Sequence, residues 1–214
     1  MNSTTLKSLE QYKWFYFSVL VILSIGLSYI IHDIIITDPK YFTKGNDNSV
    51  GLYRRIYGII YLVKPLSLFL KVGFISLLLF WGAKYYLKLK TSVSFWMCFT
   101  IVCLGEFILL IPDLSEVVYF LIIKTNYTMH DVSNFNWYSL HSILGQEDMP
   151  KAFVHPLQLL NIFEFSYWAL LALLFSRLAK LKYVMGVQLI ALFYLLPLFT
   201  YTIIKFIINL LIFS

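Results

Sequence analysis

The chain has 214 residues, 60% of them hydrophobic and only 13% charged, with a formal net charge of +6. That balance excludes a water-soluble globular domain, and it excludes nucleic acid as a partner because the basic residues are scattered at segment ends rather than gathered on one face. Little sequence is left over for a second unit, so residues 1–214 read as a single integral membrane domain whose first partner is the lipid bilayer.

A hydrocarbon core about 30 Å thick needs about 20 apolar residues per helix. Five stretches qualify, at about 14–36, 65–83, 92–123, 156–175 and 183–213. The run Trp168–Phe175 is apolar on every face, which argues against the alternating strands of a membrane barrel. The expected fold is all-α, a polytopic transmembrane helical bundle of five spans.

The first span follows Lys7 and Lys13 and lacks a small-residue cleavage site after it, so it reads as an anchor rather than a cleaved leader. It ends in His32-Asp33, a polar exit from the membrane. Thr37–Val50 carries turn chemistry in Asp-Pro and Lys-Gly-Asn-Asp-Asn-Ser. Gly51–Val63 then places Leu52, Ile56, Ile59, Ile60 and Val63 at helical spacing. It is expected to be an interfacial helix in the first outer loop, or else an extension of the second span. The third stretch is too long for one straight crossing, and Pro112 is expected to kink it. Cys98 and Cys103 point to different faces of that helix and read as small apolar fillers.

Short segments dense in Lys and Arg stay in the cytoplasm. The N-terminal segment, Lys84–Thr91 and Arg177–Lys182 fit that description, with Lys7, Lys13, Lys84, Lys88, Lys90, Arg177, Lys180 and Lys182. The other side holds longer loops that mix bases with Asp38, Asp47, Asp131, Glu147 and Asp148. The expected topology is N-terminus in the cytoplasm and C-terminus outside, in a cell (plasma or inner) membrane.

Charge at membrane depth costs about 2.5–3.5 kcal/mol at mid-helix on insertion scales. The intramembrane polar cluster expected here is Lys71, Glu106, Glu164 and Lys205. Counting helix rise puts Lys71 roughly 9 Å, Glu106 about 10 Å and Glu164 roughly 12 Å below the outer surface. Lys205 lies near that surface, where it can snorkel. The plain reading is an ion-pair staple in which Lys71 neutralises Glu106 or Glu164. A sharper one is a polar cavity open to the outside that takes a solute, a lipid head group or protons. A third has the charges meeting a partner protein.

His32, His130, His141 and His155 all fall on the outer side, among Asp33, Asp131, Glu147 and Asp148. Zinc catalysis takes three such ligands with an open position, but no H-E-x-x-H or other short ligand spacing occurs. These four read as ordinary surface or interface histidines, with a metal site the lesser alternative. Walker, G-x-S-x-G and dinucleotide-binding patterns are missing as well. No metal or other cofactor is therefore expected.

The stretch Leu160-Asn161-Ile162-Phe163-Glu164-Phe165-Ser166-Tyr167-Trp168 opens the fourth span. With five spans and a cytoplasmic start, it resembles the Yip1-like membrane family, where a similar N-x-F-x-x-x-x-W helix precedes a short polar turn and a final span. The likeness covers mainly Ser92–Ser214. The long outer loops and the near-absence of an N-terminal extension depart from that family's better-known members. The resemblance implies a non-enzymatic protein acting in membrane organisation, assembly or trafficking, through a protein partner or as a homo-oligomer, and it carries over no catalytic residues. The alternatives are a small-solute or ion transporter or channel component using the outer-half charges, and a metal-dependent membrane hydrolase using the histidines.

Overall fold

A computed structural model describes residues 10–36, 47–87, 93–127, 131–132, 135, 139–140, 142, 157–158 and 160–213, the side chains of 36, 47–57 and 208–213 excepted. Seven α-helices carry the described fold. These are α1 (Lys13–Tyr29), α2 (Asp47–Trp81), α3 (Phe95–Leu109), α4 (Ile111–Val118), α5 (Ile162–Leu178), α6 (Tyr183–Ile190) and α7 (Leu196–Phe213). Turns of π-helix extend them at Ile30–Ile36, Gly82–Tyr86, Tyr119–Ile123 and Ala191–Leu195, and there is no β-strand among the described residues.

Among the described residues, four helical segments are long and apolar enough to cross a membrane: Lys13–Ile35, Gly58–Tyr86, Phe95–Ile123 and Tyr183–Ile207. The chain is on that basis a helical membrane protein. The remaining apolar stretch, at 156–175, forms α5 from Ile162 onward and is a helix of 17 residues. Gly51–Val63 does not stand apart as a helix of its own, because Asp47–Trp81 runs as one helix straight through it. The third stretch breaks at Leu110, two residues before Pro112, which then occupies the first turn of α4. A proline is well accommodated there, since a first-turn N–H has no intrahelical acceptor to lose.

The hydrophobic core is built around α3. Met97 through Cys103 are buried without interruption, Cys98 and Cys103 both as free thiols. Ser94 starts this helix by accepting a hydrogen bond from the Met97 backbone N–H at 3.0 Å. Against α3 lie α1, α2 and α5, and α5 packs in turn on α6. The stripe Val72, Ile75, Ser76, Leu79 and Ala83 is the face that α2 and the π-helical turn after it bury, at the spacing one side of a helix requires. A second, smaller core joins Ile31 and Ile35 to Val117, Phe120 and Tyr127, where α1 ends and α4 continues.

Gly105 and Gly186 mark two of the close helix contacts. A Cβ on Gly105 would lie 2.7 Å from Tyr167 Cε2 and 2.9 Å from Leu171 Cδ2, so α3 and α5 meet there without a side chain between them. A Cβ on Gly186 would lie 2.6 Å from the Ala172 carbonyl oxygen, which brings α6 equally close to α5. A Cβ on Gly26 would meet nothing within 4 Å.

These contacts make the two substitutions diverge. Gly105→Ala should lower the thermal unfolding temperature of the purified protein in detergent, by the equivalent of about 1–3 kcal/mol of overpacking. Gly26→Ala should leave it unchanged or raise it, by up to about 1 kcal/mol of helix propensity.

Candidate functional site

The Glu106 carboxylate lies inside the bundle with 4% of its side chain exposed. Lys71 on α2 reaches it: Nζ donates to Glu106 Oε2 at 2.7 Å. The Lys71 side chain is itself 46% exposed, so its hydrocarbon stem runs along the outside of the bundle while the ammonium turns in. Tyr167 on α5 donates its hydroxyl to Glu106 Oε1 at 3.1 Å, from a fully buried position. Both carboxylate oxygens are thus bonded, one by a cation and one by a phenol, from two different helices.

Helical spacing explains why α5 serves this site. Asn161 caps the helix, accepting from the backbone N–H of Phe163 at 3.0 Å and of Glu164 at 2.9 Å. Glu164 follows in the first turn, with Tyr167 and Trp168 three and four residues later on the same face. Glu164 lies within electrostatic range of Lys71 and Glu106. Its Oε2 and the Trp168 Nε1 are both buried without a hydrogen-bond partner among the described residues. Trp168 Nε1 approaches both Glu164 and Tyr194, short of bonding geometry to either. Tyr194 belongs to the π-helical turn Ala191–Leu195 and sets its ring edge-on to Tyr167, centroids 5.5 Å apart.

Of the sequence candidates, the structure therefore joins Lys71 to Glu106 and sets Glu164 beside them. Lys205 on α7 is half-buried and forms no ion pair among the described residues.

A second polar cluster sits where α1 ends and α4 begins. Ser24, Ser28 and His32 follow one another at intervals of four residues along α1 and its π-helical extension. Lys64 on α2 donates to the Ser24 carbonyl at 3.0 Å and also to the Ser28 hydroxyl. Tyr61, one turn earlier, donates to Asp33 Oδ2 at 2.8 Å. Asp113 in α4 lies within electrostatic range of Lys64, and Glu116 within range of Asp113. Beyond the helices, Lys124 and Asp131 pair at 2.8 Å. That hydrogen bond raises the Lys124 pKa above its ordinary value, so the lysine keeps its charge through neutral pH and gives it up only in alkali.

His32 belongs to this second cluster, whereas His130, His141 and His155 lie outside the described residues. Among the described residues, no three His, Cys, Asp or Glu side chains converge on a point that could hold a metal ion.

The sequence reading passed over Tyr167, Trp168, Tyr194, Tyr61 and Lys64. An available signal was the stripe Ser24-Ser28-His32, which asks for a polar neighbour on the adjoining helix. Lys64, just before the apolar stretch that begins at 65, supplies it. The tyrosines gave no comparable signal, because an aromatic in an apolar run looks the same whether its hydroxyl is bonded or idle. No known protein family, curated protein or solved structure matches this chain.

A double-mutant cycle measures the Lys71–Glu106 link. Lys71→Met leaves a buried carboxylate without its cation and should destabilise the protein by about 3 kcal/mol in detergent unfolding. Lys71→Met combined with Glu106→Gln should regain at least about 1 kcal/mol of that loss. Tyr167→Phe should cost about 1.5–3 kcal/mol, as expected for a hydrogen bond to a charged group.

Proposed function

We propose that this chain is a five-span membrane protein of the cell membrane that acts without catalysis, through partners, in membrane organisation, assembly or trafficking. The observation that carries the reading is the closed state of the Glu106 site. A carboxylate with both oxygens bonded in the bundle interior is built to hold helices together. A general acid or base needs an accessible oxygen within reach of a substrate proton.

The fifth span is α5. Its 17 residues meet the lower limit for crossing, and it packs between α3 and α6 rather than lying beside the bundle. The turns of α2 before Gly58 precede the apolar window, and we place them at head-group level. Likeness to the Yip1-like family in the Asn161–Trp168 stretch points to the same class of function. A surface for a partner is available on α7. Tyr201, Ile203, Ile204 and Ile207 are exposed there, and the helix packs chiefly on the π-helical turn that precedes it.

One observation favours a second reading, a small-solute or ion transporter component. Glu164 adds a second carboxylate beside the Lys71–Glu106 pair. Photo-crosslinking from position 203 in native membranes separates the two. Discrete protein adducts, either to one other polypeptide or to a second copy, support the first. Lipid adducts alone, with solute or ion flux in proteoliposomes that Glu106→Gln abolishes, would replace it with the second.

Orientation has its own test, in protein freed of Cys98 and Cys103. A membrane-impermeant maleimide should label Asn126→Cys in intact cells and Lys180→Cys only after permeabilisation. The reverse pattern would invert the topology.

A further inference from the structure

Three helices bring two carboxylates and one ammonium to the same place. The ammonium is committed: Lys71 Nζ sits 2.7 Å from Glu106 Oε2. Glu164 is left with a buried Oε2 that has no hydrogen-bond partner among the described residues, and with a tryptophan N–H nearby that lacks one too. Ionised, this half-buried carboxyl group would leave a buried oxygen unbonded, which is costly.

The groups that face Glu164 are few. Lys71 comes from α2, Glu106 from α3, Tyr167 from its own helix and Tyr194 from the π-helical turn after α6. Among the described residues only Lys71 offers positive charge, and Glu106 already holds it. Glu106 opposes a second negative charge, and both tyrosines are neutral phenols. Two carboxylates sharing one site do not both ionise unless each is compensated.

We infer that Glu164 is a proton-binding site: it carries an exchangeable proton while Lys71 is bound to Glu106, and loss of that proton draws the Lys71 ammonium toward Glu164. On release the carboxyl O–H bond breaks and the proton passes to a buffer base. The carboxylate left behind competes with Glu106 for the same cation. Proton binding therefore favours the α2–α3 link, and proton release shifts α2 toward α5. This goes beyond the partner-based function proposed above and does not depend on it.

Infrared difference spectroscopy of the full-length protein in lipid bilayers tests the site, read in the C=O stretch of a protonated carboxylic acid. Wild type should show that band at neutral pH, shifted by exchange into D2O. Glu106→Gln, which frees Lys71 to neutralise Glu164, should weaken the band and move its loss to lower pH, and Glu164→Gln should lose it. Glu164→Asp should keep it at a displaced frequency, which assigns the band even if the glutamine variant does not fold. Raising the pH should abolish the band and, in parallel, change the distance between spin labels at positions 70 and 166. A wild type with no band at neutral pH, or a band unmoved by either Glu164 variant, would overturn the proton site. A band that titrates while the distance stays fixed would overturn the movement of Lys71.

Discussion

A carboxylate enclosed by three helices has to be satisfied by its neighbours, because lipid offers it nothing. Glu106 is satisfied from both sides, and much of the surrounding architecture follows from that need. Gly105, the residue before it, has no side chain, so α5 can approach closely enough for the Tyr167 hydroxyl to reach Oε1. Asn161 fixes where α5 begins and therefore which of its residues face α3. Lys71 lies next to Val72, the first residue of the stripe that α2 buries, so seating the stripe brings the ammonium to the carboxylate. Hydrophobic packing and charge pairing thus specify the same register of α2 on α3. Agreement between levels of this kind is what makes a helical arrangement unique rather than one of several.

How much of this was legible in the sequence differs from residue to residue. Hydropathy and length pick out the apolar helices, because the cost of leaving backbone polar groups unpaired in lipid leaves few other solutions. Counting helix rise put Lys71, Glu106 and Glu164 at one level, which is the information needed to suspect that they meet. It could not say which glutamate holds the lysine. That choice depends on the rotation of α3 and α5 about their own axes, and Gly105 and Asn161 set those rotations through three-dimensional contacts. The continuity of α2 was hidden for a related reason. Gly51–Val63 has a helical pattern whether it lies along the membrane or extends a span, and only the path of the backbone distinguishes the two. Lys64 falls just outside the apolar stretch that begins at 65, yet the helix passes through both Lys64 and Pro65.

The π-helical turns add something that hydropathy does not encode. In a π-turn the backbone bonds run from i to i+5, which alters the phase of the side chains that follow and leaves carbonyls free to bond elsewhere. Both effects are seen here. The turn at Ala191–Leu195 carries Tyr194 inward, edge-on to Tyr167 and near Glu164. The turn at Ile30–Ile36 presents the Ile35 carbonyl to the Tyr127 hydroxyl at 3.2 Å. That bond fastens the segment after the third apolar helix to the end of the first, within the smaller core of Ile31, Val117 and Phe120.

The length of α2 has a mechanical consequence. A helix of 35 residues is about 50 Å long, well beyond a hydrocarbon layer of about 30 Å. It is therefore a rod that spans the layer and continues past it, and any tilt at one end is magnified at the other. The weak turn of that rod is at Pro65, where the backbone lacks an N–H and so one bond of its ladder. Lys64 lies immediately before that gap and holds the Ser24 carbonyl of the neighbouring helix. The brace sits where bending is easiest. Whether the rod moves as one piece or folds at its proline then depends on this grip of Lys64 and on that of Tyr61 on Asp33, one turn earlier.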